Sequence, residues 1–194
     1  ADSTEQYISI YVSHSNYLIR TRVDRSMIAN NNIRLDFVCV HNAGRSQMAA
    51  AFAERERSKR GLEELVEIHS GGTEPADAVH EEVVEAMAEV GIDIAGRTPK
   101  WVAELEQLEN SDYLVTMGCS IMQFDPAQYG VESHEWDLVN PDGQDMDTVR
   151  DVRDEIEARV ETLFDEIERL VEEEQTNTDS SSGLITSIRD SLSF

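Results

Sequence analysis

Lysine is nearly missing from this chain. Only Lys59 and Lys100 occur; the other basic residues are arginines, and the 16 Lys and Arg face 40 Asp and Glu, a formal net charge of −24. Such a surface is a poor partner for nucleic acid or an anionic membrane, both of which select positive charge. The acids are spread over every amphipathic segment rather than gathered in a block, as a solvated coat requires and an acidic tail does not. Charge this far from zero repels itself at low salt and stays soluble at high salt, which points to a salt-rich cytoplasm. Cysteine is also scarce. Two, Cys39 and Cys119, are too few for a disulfide scaffold. No apolar run is long enough to span a bilayer. No basic region followed by an apolar stretch marks a signal peptide, so a cytoplasmic location is expected. A chain of 194 residues, 40% hydrophobic, can bury the core of one domain.

Three regions are expected: an extension over 1–33, loosely ordered or foreign to the natural protein (Met27 is a plausible natural start); a domain over 34–174; and a polar tail over 175–194. In the extension, Tyr7–Val12 has the makings of a short strand. Short apolar runs predict strands at Leu35–Val40, Val66–Ser70, Tyr113–Met117 and His134–Leu138. Helices are predicted from Ser46 to about Lys59, over His80–Val90 with Gly91 as the stop, and over Pro99–Leu108 with proline in the first turn. Val149, Val152, Ile156, Val160, Leu163, Ile167 and Leu170 recur at three- and four-residue steps, a long amphipathic helix. Gln175–Gly183, rich in Ser, Thr and Asn, reads as a loose tail, with a weak helix over Leu184–Phe194. Strands alternating with helices predict an α/β fold: one three-layer domain around a four-stranded parallel sheet. Sites in such sheets lie at the carboxyl ends of strands. Cys39 ends the first strand and Cys119 follows the third, which puts both on one rim.

The segment Cys39-Val40-His41-Asn42-Ala43-Gly44-Arg45-Ser46 joins a strand to a helix. Its backbone N–H groups can turn inward as an anion-sized nest, with the positive end of the helix aimed at the same point. Gly44 gives the backbone freedom. Arg45 offers a planar fork that matches two oxygens of a tetrahedral oxyanion, and Ser46 can donate to the sulfur of Cys39. Helix ends and cations favour a thiolate, so Cys39 is the candidate nucleophile. A cysteine at a strand end is often plain core; the strand before, the glycine within and the helix after favour the site. His41 forms a C-x-H pair with Cys39, but companion ligands for zinc are not evident in sequence, and neither metal nor cofactor is expected.

Phe37 to Ala49 resembles arsenate reductases of the low-molecular-weight tyrosine phosphatase superfamily. So do Ser70-Gly71-Gly72-Thr73-Glu74-Pro75, Val90 to Arg97, Ser111 to Cys119 and Trp136-Asp137-Leu138, collinear over roughly residues 34–172. Gln47-Met48-Ala49 after the loop is similar to the reductase branch; the phosphatases of this fold usually carry Pro after Ser and an aromatic pair after the acid loop. The resemblance implies that Cys39 attacks arsenate, that Cys119 then attacks Cys39, and that arsenite leaves behind a disulfide. Cys119 as a buried structural thiol is the plain alternative.

The chain departs from the family in three places. Ser120-Ile121-Met122-Gln123-Phe124 holds no third cysteine, so a thiol from outside (thioredoxin, glutaredoxin or a small thiol) must restore the pair. Where the family has an acid before proline, the chain has Asn140-Pro141; asparagine cannot give a proton, and Asp142 and Asp137 are the nearby substitutes. Ala49-Ala50-Ala51 stands where some relatives carry a cation-binding Glu. Two further readings remain open: a low-molecular-weight phosphatase acting on phosphate esters, and, given Asn140, a non-catalytic oxyanion-binding protein.

Overall fold

Residues 33–39 form the first strand because they can be covered on both sides: in β1 (Ile33–Cys39) every side chain except that of Arg34 is buried, as a central parallel strand demands. The computed structural model of the chain describes residues 32–102, 108–119, 121 and 124–191, with backbone alone from 174 onward. The element order is β1, α1 (Arg45–Lys59), β2 (Val66–Gly72), α2 (Glu81–Glu89), β3 (Tyr113–Met117), α3 (Pro126–Tyr129), β4 (Glu132–Glu135) and α4 (Met146–Ser191). The four strands form one sheet in the order β2-β1-β3-β4, and every pairing is parallel. This is the α/β architecture the alternation of strands and helices predicts.

Alternation along β1 divides the core. Leu35, Phe37 and Cys39 join the large cluster under α1, α2 and α4, where Val83, Met87, Val149, Ile156, Val160, Phe164 and Ile167 are buried. Val38 points to the other face, with Leu108, Leu114, Phe124 and Val131. Since parallel strands share one direction, their carboxyl ends make one rim. The register sets Cys39 opposite Met117 on one side and Gly72 on the other.

Several expectations are corrected. Ile33 belongs to β1, one residue inside the expected extension; the Tyr7–Val12 strand lies outside the described residues. β4 covers Glu132–Glu135 rather than His134–Leu138. The Trp136 amide still reaches the Thr116 carbonyl at 2.8 Å, after which the chain leaves the sheet. The helix expected over Pro99–Leu108 does not start at Pro99. Trp101 makes a parallel bridge to Gly72, because Gly72 exchanges hydrogen bonds with Lys100 and Val102 at 2.8 and 2.9 Å; 103–107 lie outside the described residues. α3 was not anticipated. It is started by Asp125, whose carboxylate accepts from the Ala127 amide, and stopped by Gly130 at φ 74°. The 175–183 stretch, expected as a loose tail, is helical backbone within α4. Once a helix is nucleated each further residue adds a hydrogen bond, so a polar composition does not by itself end it.

Arginine acts here as a cross-element tie. Arg60 links α1 to Asp165 and Glu168 of α4 at 2.7 and 2.9 Å. Arg150 and Arg153 of α4 hold Glu89 of α2 at 2.6 and 3.0 Å, and these guanidinium groups draw the Glu89 carboxyl down to about 2. With 40 acids against 16 basic residues, the excess negative charge repels itself when screening weakens. Moving the protein from molar to millimolar potassium chloride is expected to lower Tm by at least ~5 °C, a loss of about 2 kcal/mol for a chain of this size. A melting curve indifferent to salt would refute the salt-adapted reading.

Candidate active site

The loop between β1 and α1 is built from its outside inward. Its carbonyls face away from the mouth and are taken by the strand-to-helix segment after β2: Cys39 O by the Thr73 amide (3.1 Å), Val40 O by Glu74 (2.8 Å), His41 O by Ala76 (3.0 Å) and Ala43 O by His80 (3.0 Å). In a trans peptide the N–H points opposite to the C=O. Turning those four carbonyls out therefore turns the amides of Val40, His41, Asn42 and Gly44 in, the arrangement of an anion nest. The Asn42 amide shows the direction, lying 3.2 Å from Cys39 Sγ.

Asn42 carries the strain of the loop, at φ 48°, and is fully buried. Its side chain donates to Ser46 Oγ at 2.8 Å and accepts from Gln47 Nε2 at 3.1 Å and the Lys100 amide at 2.8 Å. Ser46 Oγ in turn lies 3.0 Å from Cys39 Sγ. The sulfur is thus held by a network whose members come from the loop, α1 and the segment before Trp101. Gly44 contributes room: a Cβ there would stand 2.9 Å from Pro141 Cγ and 3.7 Å from His80 Cδ2. Close approach of these rings, rather than a left-handed backbone, is what glycine supplies.

Arg45 opens α1 and is buried. Its Nη1 donates to the Leu138 carbonyl at 3.1 Å. Gly118, at φ 64°, lies against the same group, since a Cβ on it would come within 2.6 Å of Arg45 Nη1. Both the Leu138 carbonyl and Gly118 escaped the sequence reading. Gly118 next to a cysteine at a strand end was the available signal; for a carbonyl there was none.

Cys119 is a free, partly buried thiol that points at the Val38 carbonyl at 3.5 Å. It packs with Val102 and Ile121 against the smaller core cluster, whereas Cys39 belongs to the larger one. The fold brings both thiols to one rim but faces them differently. Burial raises the Cys119 pKa, and the Cys39 sulfur raises it further; the Met117 backbone and Arg45 oppose the shift.

The acid loop lies across the mouth. Asn140 is exposed, Pro141 is buried on Gly44, and Asp142 is exposed, 3.8 Å from His80 Nδ1. Asp137 is exposed and precedes Leu138, whose carbonyl Arg45 holds. His41, His80 and Asp142, distant in sequence, present one ligand atom each within 4.8 Å of one another. Among the described residues no helix is long and apolar enough to cross a membrane.

This arrangement has known counterparts. A Halobacterium salinarum protein named as a candidate arsenate reductase is 54% identical over 140 residues, 72% of this chain and 96% of the relative. Its origin in a halophile fits the acid-rich composition. The glutaredoxin arsenate reductase of Synechocystis is 36% identical over 136 residues, 68% of this chain and 95% of the relative. Among solved structures, the thioredoxin-dependent arsenate reductase of Corynebacterium glutamicum superposes with a TM-score of 0.59 at 30% identity, over 79% of this chain and 71% of that one. The family model for the low molecular weight phosphotyrosine protein phosphatase matches residues 34–175, most of the chain and a span that includes Cys39, Arg45, Cys119 and residues 137–142. The chain belongs to the low molecular weight phosphotyrosine protein phosphatase family, on the side of its arsenate reductases.

Proposed function

We propose that the protein reduces arsenate to arsenite at the expense of thiols. The observation that carries this reading is the second free thiol. Cys119 stands on the rim beside the loop cysteine, its Sγ on the Val38 carbonyl one residue before Cys39; a phosphatase, whose adduct water hydrolyses, has no use for it. Arsenate sits in the nest, two oxygens on the Arg45 fork. Cys39 sulfur displaces one oxygen, which leaves as water after taking protons, and a sulfur–arsenic(V) bond forms. Cys119 sulfur then attacks Cys39 sulfur. The sulfur–arsenic bond breaks, its electron pair stays on arsenic, and arsenite leaves. Two thiols have been oxidised to one disulfide and arsenic reduced by two electrons. An external dithiol or small thiol, of the thioredoxin or glutaredoxin kind that the named relatives use, restores both cysteines.

The test is a single turnover without reductant. Arsenite should appear in a one-to-one ratio with a Cys39–Cys119 peptide cross-link and the loss of two hydrogens by mass spectrometry. Hydrolysis of an aryl phosphate with no arsenite formed would give the site to the phosphatase reading.

The proton for the departing oxygen has two candidate sources, Asp142 beside His80 and Asp137 beside Leu138. Single substitutions to Asn separate them: the donor's loss is expected to slow adduct formation by about 10²–10⁴-fold, the other's to leave it near the wild-type rate. If both variants keep the wild-type rate, the proton comes from water and the missing acid at Asn140 is tolerated.

A further inference from the structure

We propose that His41, His80 and Asp142 form a first-row transition-metal site of the zinc class at the mouth of the oxyanion loop, and that metal bound there shuts the enzyme off.

The three residues come from three places that the fold brings together: the loop itself, the residue capping α2, and the acid loop. Their ligand atoms lie within 4.8 Å of one another. His80 Nδ1 and Asp142 Oδ1 are 3.8 Å apart, too long for a hydrogen bond. Around a tetrahedral ion with bonds of about 2.0–2.1 Å, ligand atoms stand about 3.3 Å apart. That pair closes by about 0.5 Å to reach this spacing. No pair, all being within 4.8 Å, has to close by more than about 1.5 Å, within reach of side-chain rotation at the exposed Asp142 and the two imidazoles.

Two imidazoles and one carboxylate suit zinc and its neighbours, whereas magnesium and calcium prefer oxygen alone. Three protein ligands leave a fourth position open to water or to an incoming oxyanion. The imidazoles are part-buried and their backbones fixed. The His80 amide donates to Ala43 O and the His41 carbonyl accepts from Ala76, both at 3.0 Å. Pro141, packed on Gly44, delivers Asp142. The net charge of −24 concentrates cations around the molecule.

A metal here pins the acid loop to the nucleophile loop. It occupies Asp142, one of the two candidate proton sources, beside the loop that binds the oxyanion. Turnover should therefore fall with zinc and recover with a chelator, by a route that does not involve thiol ligation. This inference goes beyond arsenate reduction, and its first readout is binding alone.

The experiment uses the Cys39→Ser/Cys119→Ser chain, which has no thiol to compete, titrated with Zn²⁺ by calorimetry and with Co²⁺ by visible absorption. One ion per chain with a tetrahedral cobalt spectrum is expected, and adding His80→Ala should weaken binding roughly 10²-fold or more. Asp142→Asn, on the exposed loop, serves as the second variant should His80→Ala not fold, and should weaken binding likewise. In the thiol-containing protein, zinc that stops the wild type should leave His80→Ala turning over at that variant's own rate in chelator. No ion bound, or equal affinity with and without His80 and Asp142, overturns the site. Equal zinc inhibition of wild type and His80→Ala overturns the regulatory role.

Discussion

Serine in place of Cys39 is expected to cut arsenate turnover by on the order of 10⁵-fold or more, while the melting profile stays that of the wild type. The side chain is almost isosteric. Its hydrogen bonds, one shared with Ser46 Oγ at 3.0 Å and one accepted from the Asn42 amide at 3.2 Å, can be made by a hydroxyl. The nest, braced from outside by Thr73, Glu74, Ala76 and His80, does not depend on sulfur and should still bind oxyanion. What is lost is the sulfur–arsenic bond and with it any place for electrons to come from. The measurement pairs steady-state arsenite production with arsenate binding by calorimetry. Retained turnover in the serine variant would remove Cys39 from the chemistry altogether.

Alanine in place of Cys119 is expected to slow turnover by at least ~10²-fold when the donor is a protein dithiol. The change turns an attack within one molecule into an encounter between two. Here the pH dependence is diagnostic. Because burial raises the Cys119 pKa, most of this thiol is protonated at neutral pH, and only the thiolate attacks. The resolving step in the wild type should accelerate with pH, about tenfold per unit until the Cys119 pKa is passed. In Cys119→Ala that slope should be replaced by the titration of whichever external thiol is supplied. On the proposed mechanism Cys119 must also leave its packing beside Val102 and Ile121 to reach Cys39. Rapid-quench measurement of disulfide formation across pH separates this step from adduct formation. If Cys119→Ala matches the wild type with a small thiol, a mixed disulfide on Cys39 is the better mechanism.

The parts of this molecule that were legible in sequence are those written locally. The loop, with its strand before and helix after, occupies one contiguous stretch, and α4 declares itself by the spacing of Val149, Ile156, Val160 and Ile167. The sheet and its parallel sense followed from alternation of elements. Long-range capture of backbone groups was not legible. The Lys100 amide goes to Asn42, the Leu138 carbonyl to Arg45, and Trp101 bridges Gly72. The first and last of these keep Pro99–Val102 extended where proline and good helix formers suggested a helix. His80 and Asp142 carry no motif at all; only the close packing of both segments on Gly44 puts them beside His41.

The strand register has a consequence for the lifetime of the protein. Cys39 and Cys119 are 80 residues apart in the chain (119 − 39), and they are neighbours only because β3 is inserted beside β1 after the chain has detoured through β2. An unfolded copy holds two unrelated thiols. A bond between them in the folded copy closes a loop that, in the chain-entropy account, takes about 4.5 kcal/mol of freedom from the unfolded state. If the proposed cycle holds, each turnover alternates between an uncross-linked and a cross-linked molecule, and the copy that has just spent its electrons is the harder one to unravel. On that mechanism, dilution of salt should unfold the reduced form before the oxidised one, leaving the oxidised fraction as the reserve from which a donor thiol restores activity.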